Sequence, residues 1–348
     1  MVKEVAFVVP GDLATPTGGY TYDRRILAGL AALGWGTQVI DIGEGFPRPT
    51  PAVRAAARRR LAELSPAPAV VIDGLAYGVL ADEAEALTPT HRLVALVHHP
   101  LALETGLSEA DAASLHASER AALSHARHVV VTSPSTARIL IADFGVPAGR
   151  VSVVQPGTDR VAFRRRQGRA AVELLAVGSI VPRKGYDVLV AALAQLSDLA
   201  WRLTVAGDRE RSLETMRSLA AEIDRVGLGQ RICFTGAVTP ERLIEHYAAA
   251  DLFVLPSRFE GYGMAYTEAI AHGVPVIGTT AGAVPQTVPA EAGVLVAPDD
   301  VEALTATLQR LIANPHERER LAAGARAAKF PSWSEQAALF ARVLESLA

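Results

Sequence analysis

Two glutamates separated by seven residues, Glu260 and Glu268, bracket the turn Gly261-Tyr262-Gly263 and the start of an apolar helical segment. A loop with two glycines that runs into a helix brings backbone N–H groups and the positive end of the helix dipole to a ligand, which suits a diphosphate. Glu268 falls in the first turns of a helix expected from about Ala265 to Gly273. A carboxylate there cannot neutralise phosphate, but it can accept hydrogen bonds from the two vicinal hydroxyls of a ribose. Seen alone, the loop and helix are equally compatible with ordinary capping.

Other residues carry weaker signals. Arg183 and Lys184 stand in Pro-Arg-Lys-Gly after an apolar run, which by itself reads as a solvated turn before a helix. Gly18-Gly19 reads as a turn, and His98-His99 as polar residues ending the run Leu93 to Val97. The single cysteine, Cys233, cannot form an internal disulfide or a cysteine-based zinc cluster. Its place in the apolar run Ile232-Cys233-Phe234 reads as a buried thiol.

The elements that must position these residues recur along the whole chain. In 348 residues, half of them hydrophobic and 5% aromatic, short Val/Ile/Leu runs end in Gly, Pro, Asp or His, and each precedes a longer segment with helical spacing. That is the pattern of βα units on a parallel sheet buried on both faces. Six runs begin at Val5, Thr37, Ala69, Leu93, His128 and Val151. After an arginine-rich stretch containing Arg164, Arg165, Arg166 and Arg169, read as a solvated linker, six more begin at Glu173, Arg202, Ile232, Leu252, Pro275 and Gly293.

The restart places a domain boundary near residue 160 and predicts an α/β chain of two Rossmann-like parallel-sheet domains. In such sheets ligands lie beyond the carboxyl ends of the strands, so the natural site is a cleft between the two.

Charge excludes some partners. With 34 Lys+Arg against 37 Asp+Glu the net charge is −3, which gives no field to draw a polyanion, so no nucleic-acid partner is expected. The first 160 residues hold 14 basic and 16 acidic side chains, so this half is not globally basic, and a peripheral membrane contact would rest on local patches, the basic helix face Arg54 to Arg60 or the Arg164 to Arg169 cluster. No run of about 18 uncharged apolar residues is present, and the start, with Glu4 and Pro10-Gly11, reads as a strand and not a signal peptide. The expected location is the cytoplasm, with the inner face of the membrane open to it.

The spacing Glu260 to Glu268 around Gly-Tyr-Gly, followed by His272-Gly273-Val274-Pro275-Val276-Ile277-Gly278-Thr279, resembles the E-x7-E signature of retaining GT-B glycosyltransferases of family 4 (glycosyl transferases group 1). The resemblance runs in order through residues 177–193, 204–208, 234–257 and 293–300. In the first half it takes in Gly18-Gly19, His98-His99 and residues 153–159, and it ends in a helix expected over 332–348 that crosses back onto the first domain.

The resemblance implies a GT-B hexosyltransferase: residues 1–160 with the terminal helix bind acceptor, and 161–331 bind the nucleotide sugar. It implies transfer from a nucleotide diphosphate sugar to a hydroxyl of a glycan, lipid or small molecule, with retention, by a front-face route. Lys184 would contact the donor diphosphate, Glu260 the transferred sugar and Glu268 the ribose. His98, with His99 in reserve, would orient sugar or acceptor. Gly18, Gly19, Arg183, Gly236, Val238 and the segment Gly261, Tyr262, Gly263, Met264, Ala265 complete the donor contacts.

Ser179 stands where the family commonly has a second cation, so Arg183 or Arg209 would have to supply that charge. No Asp-x-Asp pair is present, so no metal and no other cofactor is expected. A nucleotide-sugar epimerase on the same fold, or a catalytically idle nucleotide-sugar-binding subunit, are the alternatives. No G-x-G-x-x-G follows the first strand, which disfavours a dinucleotide oxidoreductase.

Overall fold

The structure, a computed structural model, describes residues 3–65, 69–159, 161 and 170–347. The arginine cluster Arg164, Arg165, Arg166 and Arg169 lies outside the described residues. The chain divides into two compact units, Met1–Gly157 with Pro331–Ala348, and Thr158–Phe330.

The first unit is built on six strands: β1 (Glu4–Val9), β2 (Gly36–Asp41), β3 (Val70–Asp73), β4 (Leu93–Val97), β5 (His128–Val131) and β6 (Val151–Val153). All pair in parallel, in the order β2-β1-β3-β4-β5-β6. Alternation along β4 shows why the run is apolar throughout. Leu93, Ala95 and Val97 enter the core on one face, while Val94 and Leu96 enter the core on the other. A one-residue slip would exchange the two sets.

The second face is covered by the helices Gly18–Ala32 and Trp333–Ser346. The later helix starts in a capping box, with Ser332 and Glu335 each closing on the other's backbone. It buries Phe340, Ala341 and Leu344 with Phe7 and Ile26, and the rings of Phe7 and Phe340 lie 6.0 Å apart. Gly29 permits this close approach, because a Cβ there would meet that of Ala337 at 2.3 Å.

The second unit repeats the plan with β7 (Val172–Val177), β8 (Trp201–Ala206), β9 (Ile232–Gly236), β10 (Leu252–Val254), β11 (Val276–Thr279) and β12 (Gly293–Val296). The order is β12-β11-β10-β7-β8-β9, again all parallel. In both sheets the chain steps away from its first strand in one direction and then returns to the other side of it. The switch points lie between β1 and β3 and between β7 and β10, and ligands are expected beyond the strand ends there.

Three expectations need correction. Cys233 is exposed, not buried. It lies on β9, which pairs with β8 alone and so forms the sheet edge, where one face of the strand meets solvent. Gly18 and Gly19 do not form a loop; Thr17 caps the Tyr20 amide, and the pair are the first two residues of the helix Gly18–Ala32. The basic face of the helix Pro51–Ala62 is partly neutralised, since Arg54 and Arg58 both pair with the buried carboxylate of Glu83. No helix among the described residues is long and apolar enough to cross a membrane.

Candidate functional site

At the switch point of the second unit, the chain leaving β7 passes Gly178 and Ser179 and makes a tight turn, Pro182–Lys184. Gly185 follows with φ of 68°, a left-handed residue that lets the turn enter the helix Tyr186–Ala194. The neighbouring strand β10 runs through Pro256 into Ser257, and the amide of Arg258 bonds the carbonyl of Arg183 at 2.8 Å. The guanidinium of Arg258 then reaches Asp187 at 2.6 Å and Asp299 at 2.7 Å. The cation-bearing turn is thereby fastened to the loop that carries Glu260.

The result is a compact charged cluster. Lys184 Nζ donates to Glu260 Oε1 at 2.6 Å, Ser257 Oγ donates to the same oxygen at 2.7 Å, and Arg183 lies 3.5 Å from Oε2. Arg183 also donates to the Phe259 carbonyl at 3.0 Å. Burial pushes the Glu260 carboxyl up, but the cations of Lys184 and Arg183 overcome that and hold it at about 2. Glu260 is therefore a permanent anion although only 6% exposed.

Gly261 and Tyr262 are buried, and the Tyr262 carbonyl accepts from Thr287 Oγ1 at 2.7 Å. The helix begins at Met264, one residue before the expected start, and runs to Ala271. Gly263 is its N-cap, a glycine in the left-handed region, and no side chain makes a capping hydrogen bond to the helix start. One turn on, Glu268 Oε2 accepts from Tyr247 Oη at 2.8 Å, and the Glu268 carbonyl bonds His272 Nδ1 at 2.8 Å. The Tyr247 and His272 rings stack at 4.9 Å, so the partner of the Glu268 carboxylate is itself held in place.

Gly236 ends β9, and Val238 follows half-buried two residues on. Arg209 is exposed, its Cδ 3.9 Å from where a Cβ on Gly236 would lie. Of the two arginines proposed to replace the cation absent at Ser179, Arg183 is the one in the Glu260 cluster.

In the first unit, His98 follows β4 immediately. Its Nε2 lies 3.1 Å from Asp23 Oδ1 and 3.5 Å from Asp73 Oδ2, with both carboxylates buried. His99 instead faces Glu104 at 3.8 Å. Asp23 comes from the helix begun by Gly18 and Gly19, and Asp73 ends β3, so the cluster sits at the switch point of this sheet. Burial alone would lower the basicity of His98, but the two carboxylates reverse this and raise it. Asp23 is raised by burial.

The structure thus gathers Arg183, Lys184, Glu260 and the Met264 helix start in one unit, and Gly18, Gly19 and His98 in the other. Four side chains escaped the sequence reading: Ser257, Tyr247, Asp23 and Asp73. Ser257 sits only three residues before Glu260, a spacing that local inspection could have flagged; the others meet their partners only through the fold.

Two six-stranded parallel sheets, one bearing a paired-glutamate loop and helix, define the GT-B class of α/β proteins. Residues 12–161 match the family described as Glycosyltransferase Family 4, and residues 171–314 match Glycosyl transferases group 1. The chain belongs to this glycosyltransferase family. It is 33% identical over 277 residues to MMP alpha-(1->4)-mannosyltransferase of Mycolicibacterium hassiacum, covering 73% of this chain and 65% of the relative. Other curated relatives are spanned over about half their length.

Among solved structures, sucrose-phosphate synthase from Thermosynechococcus elongatus superposes with a TM-score of 0.84 at 24% identity, covering 99% of both chains. The Anabaena protein HepE, solved in complex with UDP-glucose, superposes at 0.77 with 18% identity, again over 99% of both chains.

Proposed function

We propose that this chain is a retaining hexosyltransferase that moves a sugar from a nucleotide diphosphate sugar to an acceptor hydroxyl without a metal ion. The observation that carries the reading is the placement of Lys184 and Arg183 around Glu260, beside a helix start that no side chain caps, at the switch point of one sheet.

The barrier to glycosyl transfer lies in breaking the bond to phosphate while an oxocarbenium-like centre forms, so the charge to stabilise is that appearing on the departing diphosphate. Lys184, Arg183 and the amides from Gly261 to Ala265 supply positive charge and N–H donors for it. Glu268 accepts the ribose hydroxyls while Tyr247 holds its other side. Glu260, kept ionised, contacts hydroxyls of the transferred sugar and steadies Lys184. His98 orients sugar or acceptor, and the leaving oxygen takes the acceptor proton on the front face.

The acceptor is a glycan, a lipid or a small molecule bound by the first unit. A lipid acceptor would bring the protein to a membrane surface. Relatives include a GDP-mannose-dependent transferase acting on an acylated phosphatidylinositol mannoside, which supports a nucleotide-sugar donor and keeps the lipid class in view.

The test is a panel of UDP-, GDP- and ADP-sugars read by thermal shift and by donor hydrolysis, followed by NMR of the product's anomeric configuration with and without EDTA. Saturable nucleotide-sugar binding with EDTA-insensitive, retaining transfer is expected. Binding without hydrolysis or transfer across a broad acceptor panel would favour an idle binding subunit instead.

A further inference from the structure

We propose that Asp23 and Asp73 are positioning residues that hold His98 as an imidazolium, so that its Nδ1–H is a fixed cationic donor to a substrate oxygen and His98 is not a base. The proposal deepens the reading above and rests on His98 meeting the substrate.

The geometry decides the tautomer first. Two carboxylate oxygens, 3.1 and 3.5 Å away, face Nε2, and both can only accept while ionised. Nε2 must therefore carry a proton. The remaining question is whether Nδ1 keeps its lone pair, as when a single carboxylate orients a histidine that serves as base.

Here two carboxylates share one nitrogen. Asp23 and Asp73 are 0% and 2% exposed, and among the described residues no Lys or Arg pairs with either. Asp23 Oδ2 is buried without a hydrogen-bond partner, and through its other oxygen Asp23 faces both the imidazole and the Asp73 carboxylate, whose negative charge opposes its ionisation. Two buried negative charges facing an uncharged ring would be costly, and protonating Nδ1 balances one of them.

The titratable groups facing the ring are Asp23 and Tyr22 from the helix Gly18–Ala32 and Asp73 from the end of β3. From beyond β5, Thr132 touches only the His98 carbonyl. The amino terminus of the Gly18–Ala32 helix opposes the imidazolium, but its charge amounts to about +0.5 against two carboxylates.

The ring is also fixed in orientation. Tyr22 packs edge-on at 5.1 Å with its hydroxyl anchored on the Val154 carbonyl, and a Cβ at Gly19 would press to 3.3 Å of His98 Cδ2. Asp73 is anchored in turn by the Leu75 amide at 2.7 Å. Nδ1 has no hydrogen-bond partner among the described residues, and the side chain is 21% exposed, so this nitrogen is the one left for substrate.

The test begins on the substrate-free protein. Nitrogen-15 NMR of labelled histidine, with His98 assigned by loss of its signals in His98→Gln, should show both ring nitrogens protonated from pH 6 to 8.5. In Asp73→Asn and Asp23→Asn the titration midpoint should fall by at least one unit toward the ordinary value of about 6.5. Transfer by Asp73→Asn should then be within about twofold of the parent at pH 6 and roughly tenfold lower at pH 8.

A neutral His98 at pH 7.5 in the parent protein would overturn the proposal, as would an activity loss in Asp73→Asn that is the same at both pH values. So would stoichiometric divalent metal in the purified protein that either substitution removes. The parent spectrum alone decides the protonation state if a variant fails to fold. An imidazolium confirmed by NMR in a protein that transfers no sugar would sink the functional reading and leave the protonation state standing.

Discussion

Lys184 Nζ and Glu260 Oε1 lie 2.6 Å apart, a contact between residues 76 positions distant in the chain that joins the exits of two adjacent strands, β7 and β10. The pair is close enough and buried enough for the ammonium to hold the carboxylate ionised. In the proposed reaction a donor diphosphate at Lys184 would share it with the Glu260 carboxylate, which holds the ammonium at a defined point.

Removing either partner should abolish transfer. Lys184→Ala is expected to lower kcat by roughly 100- to 1,000-fold, the cost of losing one preorganised donor to a developing anion. Glu260→Ala should be similarly damaging. Far-UV circular dichroism should show the fold retained, and near-normal turnover by purified Glu260→Ala would refute the assignment.

Acid stability should report the same carboxylate. Its titration in the folded protein is depressed from 4.5 to about 2, so Glu260 contributes stability above its unfolded value that is lost as pH falls toward 2. Each unit corresponds to about 1.4 kcal/mol, which bounds the effect at roughly 3 kcal/mol. Urea titrations of the parent and Glu260→Gln should differ most at pH 5 to 7 and converge between pH 4 and 2.

Tyr247→Phe removes the hydroxyl that donates to Glu268 and leaves the ring stacked on His272. A hydrogen bond to a charged group is worth about 1.5–3 kcal/mol, so the donor KM should rise about tenfold or more with kcat within a factor of three. Isothermal titration with the nucleoside diphosphate should show the same loss. An unchanged affinity would remove Glu268 from the ribose.

Gly29→Ala is expected to destabilise although alanine is the better helix former. The added methyl would meet Ala337 at 2.3 Å, an overpacking that costs about 1–3 kcal/mol against a propensity gain of about 1 kcal/mol. Ala337→Gly should restore much of the loss, and thermal melts of the two single variants and the double variant will show the coupling.

The twelve strands among the described residues were legible because each centres on a short run rich in Val, Ile or Leu closed by a turn residue, a local signal that survives polar insertions such as Gln38 in β2 and Arg202 in β8. The Glu260 to Glu268 segment was legible for a related reason: strand end, glycine loop and helix start are adjacent in sequence. Asp23, Asp73 and Tyr247 were not. Asp23 lies 75 residues from His98 and sits within a helix, where it reads as an ordinary polar position until the sheet order brings β3 and β4 beside that helix.

Cys233 misled for the opposite reason. Its apolar neighbours gave no sign that β9 stands at the sheet edge, since edge position is a property of the strand order and not of the strand. The Gly18-Gly19 pair was visible, but the Thr17 cap that turns it into a helix start carries only one hydroxyl's worth of signal.

The return of the Trp333–Ser346 helix to the first sheet sets a timetable for the nascent chain. When Gly157 leaves the ribosome, the face bearing Phe7 and Ile26 still lacks the cover that Phe340 and Leu344 provide. At translation rates of about 5–20 residues per second, that cover arrives roughly ten to forty seconds later, after the whole of Thr158–Phe330 has emerged. The second unit is thus free to fold first, and the half begun earliest is finished last.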